Sequence, residues 1–341
     1  MAKSKLTREF KNVHWLQGQD GVQAFASLWR YVATLSRSES SQSVVVDFPD
    51  SKKRLLLRWI DILEWSQEEP LLETAVRRVD AKMLEDASVP ALQLTRVGEP
   101  LRLTNGNPVD PSVITKRTQS WVKRILVDLG ICPFTKAVTK SGQGLGDLGV
   151  PVGSIAYHAS NSNQIYDLMA DTWEAIQDML AAGPSGKNGI SSILLAAPAF
   201  DGDFDVWAGP VFAMLEAGVI AAGAEREVGV VCFHPRYATP DGRSWPGFGH
   251  MHSVPRLQQW LSENDSSQEL SADEVAAGGA WQRRTPHATI NVLRADQLEI
   301  AEKRRTTGNL YTDNICKLVG KAGVGSAKLA EDLERERRLT S

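Results

Sequence analysis

Residues 228–237 read Val-Gly-Val-Val-Cys-Phe-His-Pro-Arg-Tyr, and this stretch constrains the fold more than any other. Its β-branched and aromatic run has the length of a strand. Alternation sets Val228, Val230 and Cys232 on one face and Val231 and Phe233 on the other, so both faces are apolar. That is the pattern of a central strand in a helix-covered sheet. Pro235 has no N–H for a ladder and keeps its predecessor out of the helical region. The strand is therefore expected to stop at His234. Ligands of open α/β sheets bind outside the carboxyl ends of the strands, which makes His234, with Arg236 and Tyr237 beside it, the first candidate site.

Further strands are expected at 153–159, 190–198 and 285–294, where short apolar runs alternate or end in turn residues. Helical spacing occurs between them. Trp121, Val122, Ile125, Leu126 and Leu129 share one face, with Gly130 placed as a left-handed terminator. More helices are expected at 163–182, at 203–222 with a break at Gly209-Pro210, at 254–262 behind Ser253, and from Asp296 to about Arg305. Strands alternating with helices give an α/β fold: a layered mixed sheet of about four strands with covering helices. We place this domain at 112–306, behind the Asn-, Gly- and Pro-rich boundary at 104–112. Residues 1–111 form a mixed accessory region, with helices expected at 20–35, 51–66 and 70–86, a strand at 43–48 and a hairpin at 91–106. Residues 307–341 are expected as a helical tail with a solvated charged face. The polar, then Ala- and Gly-rich stretch 263–280 is expected to be mobile.

Composition narrows the function classes. With 38 Lys and Arg against 41 Asp and Glu, the net charge is -3 and no basic block dominates, which argues against coating nucleic acid. No run approaches the roughly 20 apolar residues that span a bilayer, and the opening MAKSKLTREF has no secretory apolar core. A cytoplasmic protein is expected, or an organellar one if a targeting peptide has been trimmed. The three cysteines, Cys132, Cys232 and Cys316, form no Cys-x-x-Cys pair, so neither a disulfide framework nor a thiolate zinc site is indicated.

Four separated motifs carry a resemblance: Trp121 with Cys132-Pro133-Phe134; Pro198 with Asp203-Phe204; Phe233-His234-Pro235-Arg236-Tyr237; and Arg284-Thr285-Pro286 with Leu293-Arg294. In order and spacing the chain resembles domain-of-unknown-function family 1415 over about 115–305. Thr285 stands where that family has serine, Arg283 where it has asparagine, and Asn291 where it has histidine. The resemblance implies domain limits and site residues and no reaction.

Each candidate has a chemical and a structural reading. His234 has the side chain suited to acid–base work near neutral pH, or it serves as a backbone-bonded loop histidine. Arg284, Arg294 and Arg236 have the forked geometry to clamp a carboxylate or phosphate, or they bond loop carbonyls. Cys132 is a nucleophile supported by Lys136 or Arg124, or a structural thiol behind a helix carboxyl end. His250 and His252, with His234, His158 and His287, offer imidazoles for a metal, without a carboxylate-rich pattern around them. The Gly144-x-Gly146-x-x-Gly149 run precedes a strand where a dinucleotide fingerprint follows one, so it reads as a loop. Three classes compete: an enzyme acting on an anionic small molecule through His234 and the arginines; a non-catalytic binding or assembly protein using the same cleft; and a histidine-based metal binder. The sequence leaves the cofactor unknown. A protein partner would dock through the leading region, which carries Trp15, Trp29, Trp59 and Trp65.

Overall fold

The computed structural model describes residues 20–340 apart from 39–42, 48–51, 73–76, 85–90, 102–108, 244–246, 248, 265–269 and 305–306. Chain contacts divide it into two compact units that are interleaved in sequence, where the sequence reading drew contiguous limits. One holds residues 1–107, 162–178 and 210–225; the other holds 108–161, 179–209 and 226–341.

In the first unit, α1 (Gly21–Arg37) and α2 (Lys53–Glu68) accompany a three-stranded antiparallel sheet of β1 (Ser43–Asp47), β2 (Val79–Leu84) and β3 (Ala91–Arg96), in the order β1-β3-β2. The Asp20 side chain caps α1 by accepting from Gln23 N. Trp29 packs edge-on to Trp59, 5.3 Å between ring centroids, and lies 6.1 Å from Tyr166, while Phe25 sits 4.8 Å from Trp173. Trp29 and Trp59 are thus core residues, whereas Trp65 is 39% exposed; Trp15 lies outside the described residues. In place of the helix expected at 70–86, the described residues Val79–Leu84 form a strand. Val79, Ala81 and Met83 alternate with Asp80 and Lys82, and β2 pairs with β3 as Val79↔Arg96 through Leu84↔Ala91. The partner expected for residues 91–96 beyond Gly98 falls largely in 102–108, outside the described residues.

The second unit carries a six-stranded mixed sheet, ordered β4 (Thr135–Ala137), β5 (Lys140–Ser141), β6 (Gly153–Ala159), β7 (Ile190–Ala196), β9 (Thr289–Arg294) and β8 (Val228–Phe233). The estimate of about four strands therefore falls two short. The missing pair, β4 and β5, are only three and two residues long, too short to show a period. β8 is also not central. It pairs antiparallel with β9 alone and forms the sheet edge. The edge is partly blunted by Cys232 N donating to Gly249 O and His234 N to Arg283 O. β6 and β7 are parallel, and β9 runs against β7 and β8. The carboxyl ends of β6, β7 and β8 therefore meet the amino end of β9.

Ile155, Leu194 and Phe233 on one sheet face pack with Trp121, Val122, Ile125, Ile131, Trp281, Leu318, Leu329 and Leu333. The covering helices are α3 (Pro111–Trp121), continued by a π-helical segment Val122–Asp128, then α7 (Ala272–Trp281), α9 (Thr307–Val319) and α10 (Ser326–Arg337). Two expectations change here. Residues 272–281 are a helix opened by a Ser271–Glu274 capping box, and its glycines permit close packing, since a Cβ at Gly278 would lie 2.8 Å from Ile315. The tail is not a solvated extension: Leu329 is fully buried, and Glu336 pairs with Arg124 through two 2.7 Å bonds. Among the described residues one helical stretch, Phe204–Ala222, is long and apolar enough to cross a membrane by length and composition. Gly209 (φ -86, ψ -106) breaks it before Pro210, and Trp207, Val211, Phe212 and Leu215 are buried.

Candidate functional site

A cavity of about 640 Å³ opens in the second unit between the turn after the π-helical segment, β4, α8 (Ala295–Arg304) and α9. Its apolar wall is Pro133, Leu145, Leu298, Ala301 and Leu310; its polar groups are Lys136, Lys317, Thr307 and Tyr311. The local sequence accounts for this shape. Gly130 takes φ 60 and ends the helix, turning the chain into Cys-Pro-Phe. Gly144 allows the following turn to lie on that segment, because a Cβ there would come 1.8 Å from Pro133 O. Of the glycine run, Gly144 is thus the close-approach position at the cavity wall, while Gly146 and Gly149 stand in open space. Lys317 Nζ donates to Gly130 O at 3.0 Å, and Lys136 is exposed at the mouth. Cys132 is half-buried beside them, packed with Phe134, Leu145, Val150 and Leu298, and its sulfur accepts from Thr135 Oγ1 at 3.6 Å.

His234 lies elsewhere, at the strand ends, and is fully buried. Arg236 N donates to its Nδ1 at 3.0 Å, so the proton belongs on Nε2, which lies 3.1 Å from Phe200 O. Burial holds its pKa below the usual histidine value. Both nitrogens are thereby committed to backbone, the arrangement of a loop-organising histidine. Tyr237 is buried as well; its hydroxyl accepts from Met251 N at 2.7 Å, and burial raises its pKa. Arg284 Nε donates to Tyr237 O at 3.0 Å, and its guanidinium lies 4.6 Å from the centroid of the Trp281 ring. Arg236 is exposed. Arg294 bonds Ile190 O and Met179 O.

Cys132, His234, Arg284 and Arg294 therefore do not share one cleft. Thr289 pairs with Phe233 while Arg294 pairs with Val228, so Arg294 stands at the far end of β9, about 17 Å from the His234 end at some 3.4 Å per residue. Lys136 lines the cavity, Cys132 packs behind its wall against Leu145 and Leu298, and neither His234 nor Arg284 lines it. His252 is enclosed by Trp260 and Tyr311, and His250 stacks on Tyr237. Among the described residues no group of three or more His, Cys, Asp or Glu could hold a metal ion. Leu298, Tyr311 and Lys317 were missed in the sequence because they come from helices assigned to the domain's end and tail, and only folding brings them to Cys-Pro-Phe.

The fold and the site define an α/β domain with a lysine-flanked cavity. The model of the family described as "Protein of unknown function (DUF1415)" matches residues 113–244. The match confirms the resemblance carried by Cys132-Pro133-Phe134 and Phe233-His234-Pro235; it ends before Arg284-Thr285-Pro286 and Leu293-Arg294. No curated protein and no solved structure matches the chain.

Proposed function

We propose that the second unit binds an anionic small molecule with an apolar body in the cavity bordered by Cys-Pro-Phe, α8 and α9. The observation that carries this reading is the pairing of Lys136 and Lys317 with an apolar wall of Pro133, Leu145, Leu298 and Leu310. A volume of about 640 Å³ is within the usual range for ligand sites. The lysines supply charge without a fixed geometry, and Tyr311 offers a hydroxyl that already accepts from Arg283 Nη2 at 3.4 Å. Binding is favoured over acid–base catalysis by His234, since that ring has no nitrogen left for a ligand.

A catalytic reading survives through Cys132, whose half-buried thiol packs against the same wall as the cavity. The experiment is a metabolite-pool screen on the full chain, recording retained molecules and new products by mass spectrometry, with Lys136→Ala and Cys132→Ser beside the wild type. Retention by the wild type, weakened by Lys136→Ala, with no product formed, is the expected result. Product formed by the wild type and lost in Cys132→Ser would replace the binding reading with the enzyme. Retention of the same anions by Lys136→Ala at full strength would remove the cavity from the account.

A further inference from the structure

A second cluster of charged groups stands at the strand ends and shares no residue with the cavity. After β7 the chain turns through Pro198–Phe200 and brings Asp201 against the amino end of β9. Asp201 Oδ1 accepts from Ala288 N at 2.7 Å, and Oδ2 lies 2.9 Å from His287 Nδ1. A carboxylate at Nδ1 places the imidazole proton there, leaving Nε2 as an acceptor. Arg117 Nη1 donates to that nitrogen at 3.3 Å, and Arg117 Nε donates to Leu339 O at 3.0 Å. Arg337 Nη2 approaches Asp201 Oδ2 at 3.6 Å.

Two guanidiniums thus converge on one carboxylate and a neutral imidazole, an excess of one positive charge. Arg117 is only half-exposed, and its Nη2 has no protein partner among the described residues. Burial, and next the nearby Arg337, lower its pKa, so the two cations repel where they stand. A structural Asp–His pair needs no such second cation. Arg117 is held from two sides, by a carbonyl at Nε and by the imidazole at Nη1, so its remaining Nη2 is fixed in place as a donor. Arg236 adds a third guanidinium near this end of the sheet, where it and Arg337 both act on the His234 ring.

We propose that Arg117 and Arg337, set in place by Asp201 and His287, form a site for the oxyanion group of a small ligand, phosphoryl or carboxyl. Guanidinium forks are matched to such groups, which accept two parallel N–H bonds. The inference is independent of the cavity reading.

The test is calorimetric titration of the full chain with inorganic phosphate and, separately, with acetate, against chloride at matched ionic strength. Saturable binding of at least one of the two anions is expected, and the tighter one names the ligand class. Arg117→Gln should weaken it about tenfold or more and Arg337→Gln several-fold, as loss of a charge-assisted contact does, while Lys123→Ala, at an exposed pair with Asp128, leaves it unchanged. The Arg337 side chain is 31% exposed, so this variant decides the matter if Arg117→Gln does not fold. Heats no larger than those of chloride for both anions, or wild-type affinity in Arg337→Gln, would overturn the proposal.

Discussion

Truncating Glu336 to alanine would leave the Arg124 guanidinium without its counter-charge inside the second unit. The pair is bidentate, Nε to Oε1 and Nη2 to Oε2, both 2.7 Å, with side chains only 18% and 4% exposed. Removing one partner of a buried pair costs roughly 3–5 kcal/mol. Residual exposure of Arg124 moves the expectation to about 2–3 kcal/mol, a fall in Tm of about 5–10 °C for a unit of this size. Urea and thermal melts followed by tryptophan emission would read it, since Trp121 and Trp281 lie in the core that α10 covers. Arg124→Met with Glu336→Leu should recover most of the loss, because apolar replacement of a whole buried pair is often neutral or better. Lys123→Ala, which breaks an exposed pair with Asp128, should change stability by less than about 0.5 kcal/mol. If Glu336→Ala costs no more than Lys123→Ala, α10 is not part of the folded unit and its assignment to the core is wrong.

Two other outcomes follow from buried groups. Burial, and then Arg283, depress the pKa of His250 to about 4, so the unfolded chain takes up that proton first. Stability is complete above about pH 6.5 and falls as pH drops toward 4, by up to roughly 3 kcal/mol from this residue; His250→Gln should flatten that segment of a pH–stability curve, and an unchanged slope would contradict it. In the first unit, a Cβ at Gly218 would lie 2.9 Å from the Trp173 ring and 3.5 Å from Phe25. Gly218→Val should therefore destabilise by roughly 1–3 kcal/mol in denaturant melts, and a neutral result would show that these helices pack differently.

The strands and helices with long, regular apolar patterns were legible. β6, β7, β8 and β9 fall where alternation placed them, and Gly130 ends its helix as its position suggested. What failed was whatever depends on distant partners. β8 reads as central because apolar residues on both faces look alike whether a strand or the Gly249 loop covers the edge. Residues 79–84 carry a clear two-residue alternation that a wider helical window obscured. Ser271 and Glu274 gave a capping box that the Ala- and Gly-rich composition behind it masked. His234 was placed correctly at a strand end. Its saturation depends on Phe200 O, 34 residues away, and no local pattern carries that information. Nor does any spacing show that Leu298, Tyr311 and Lys317 will meet Lys136.

The most direct test of the cavity as the working site uses an anionic apolar probe. Titration with 8-anilinonaphthalene-1-sulfonate, read by fluorescence on the folded full chain, should show saturable binding that weakens about tenfold in Lys136→Ala/Lys317→Ala, with two partly solvated charges contributing under about 1 kcal/mol each. Arg117→Gln should leave that curve unchanged. Equal affinity in the wild type and the double lysine variant would contradict the account.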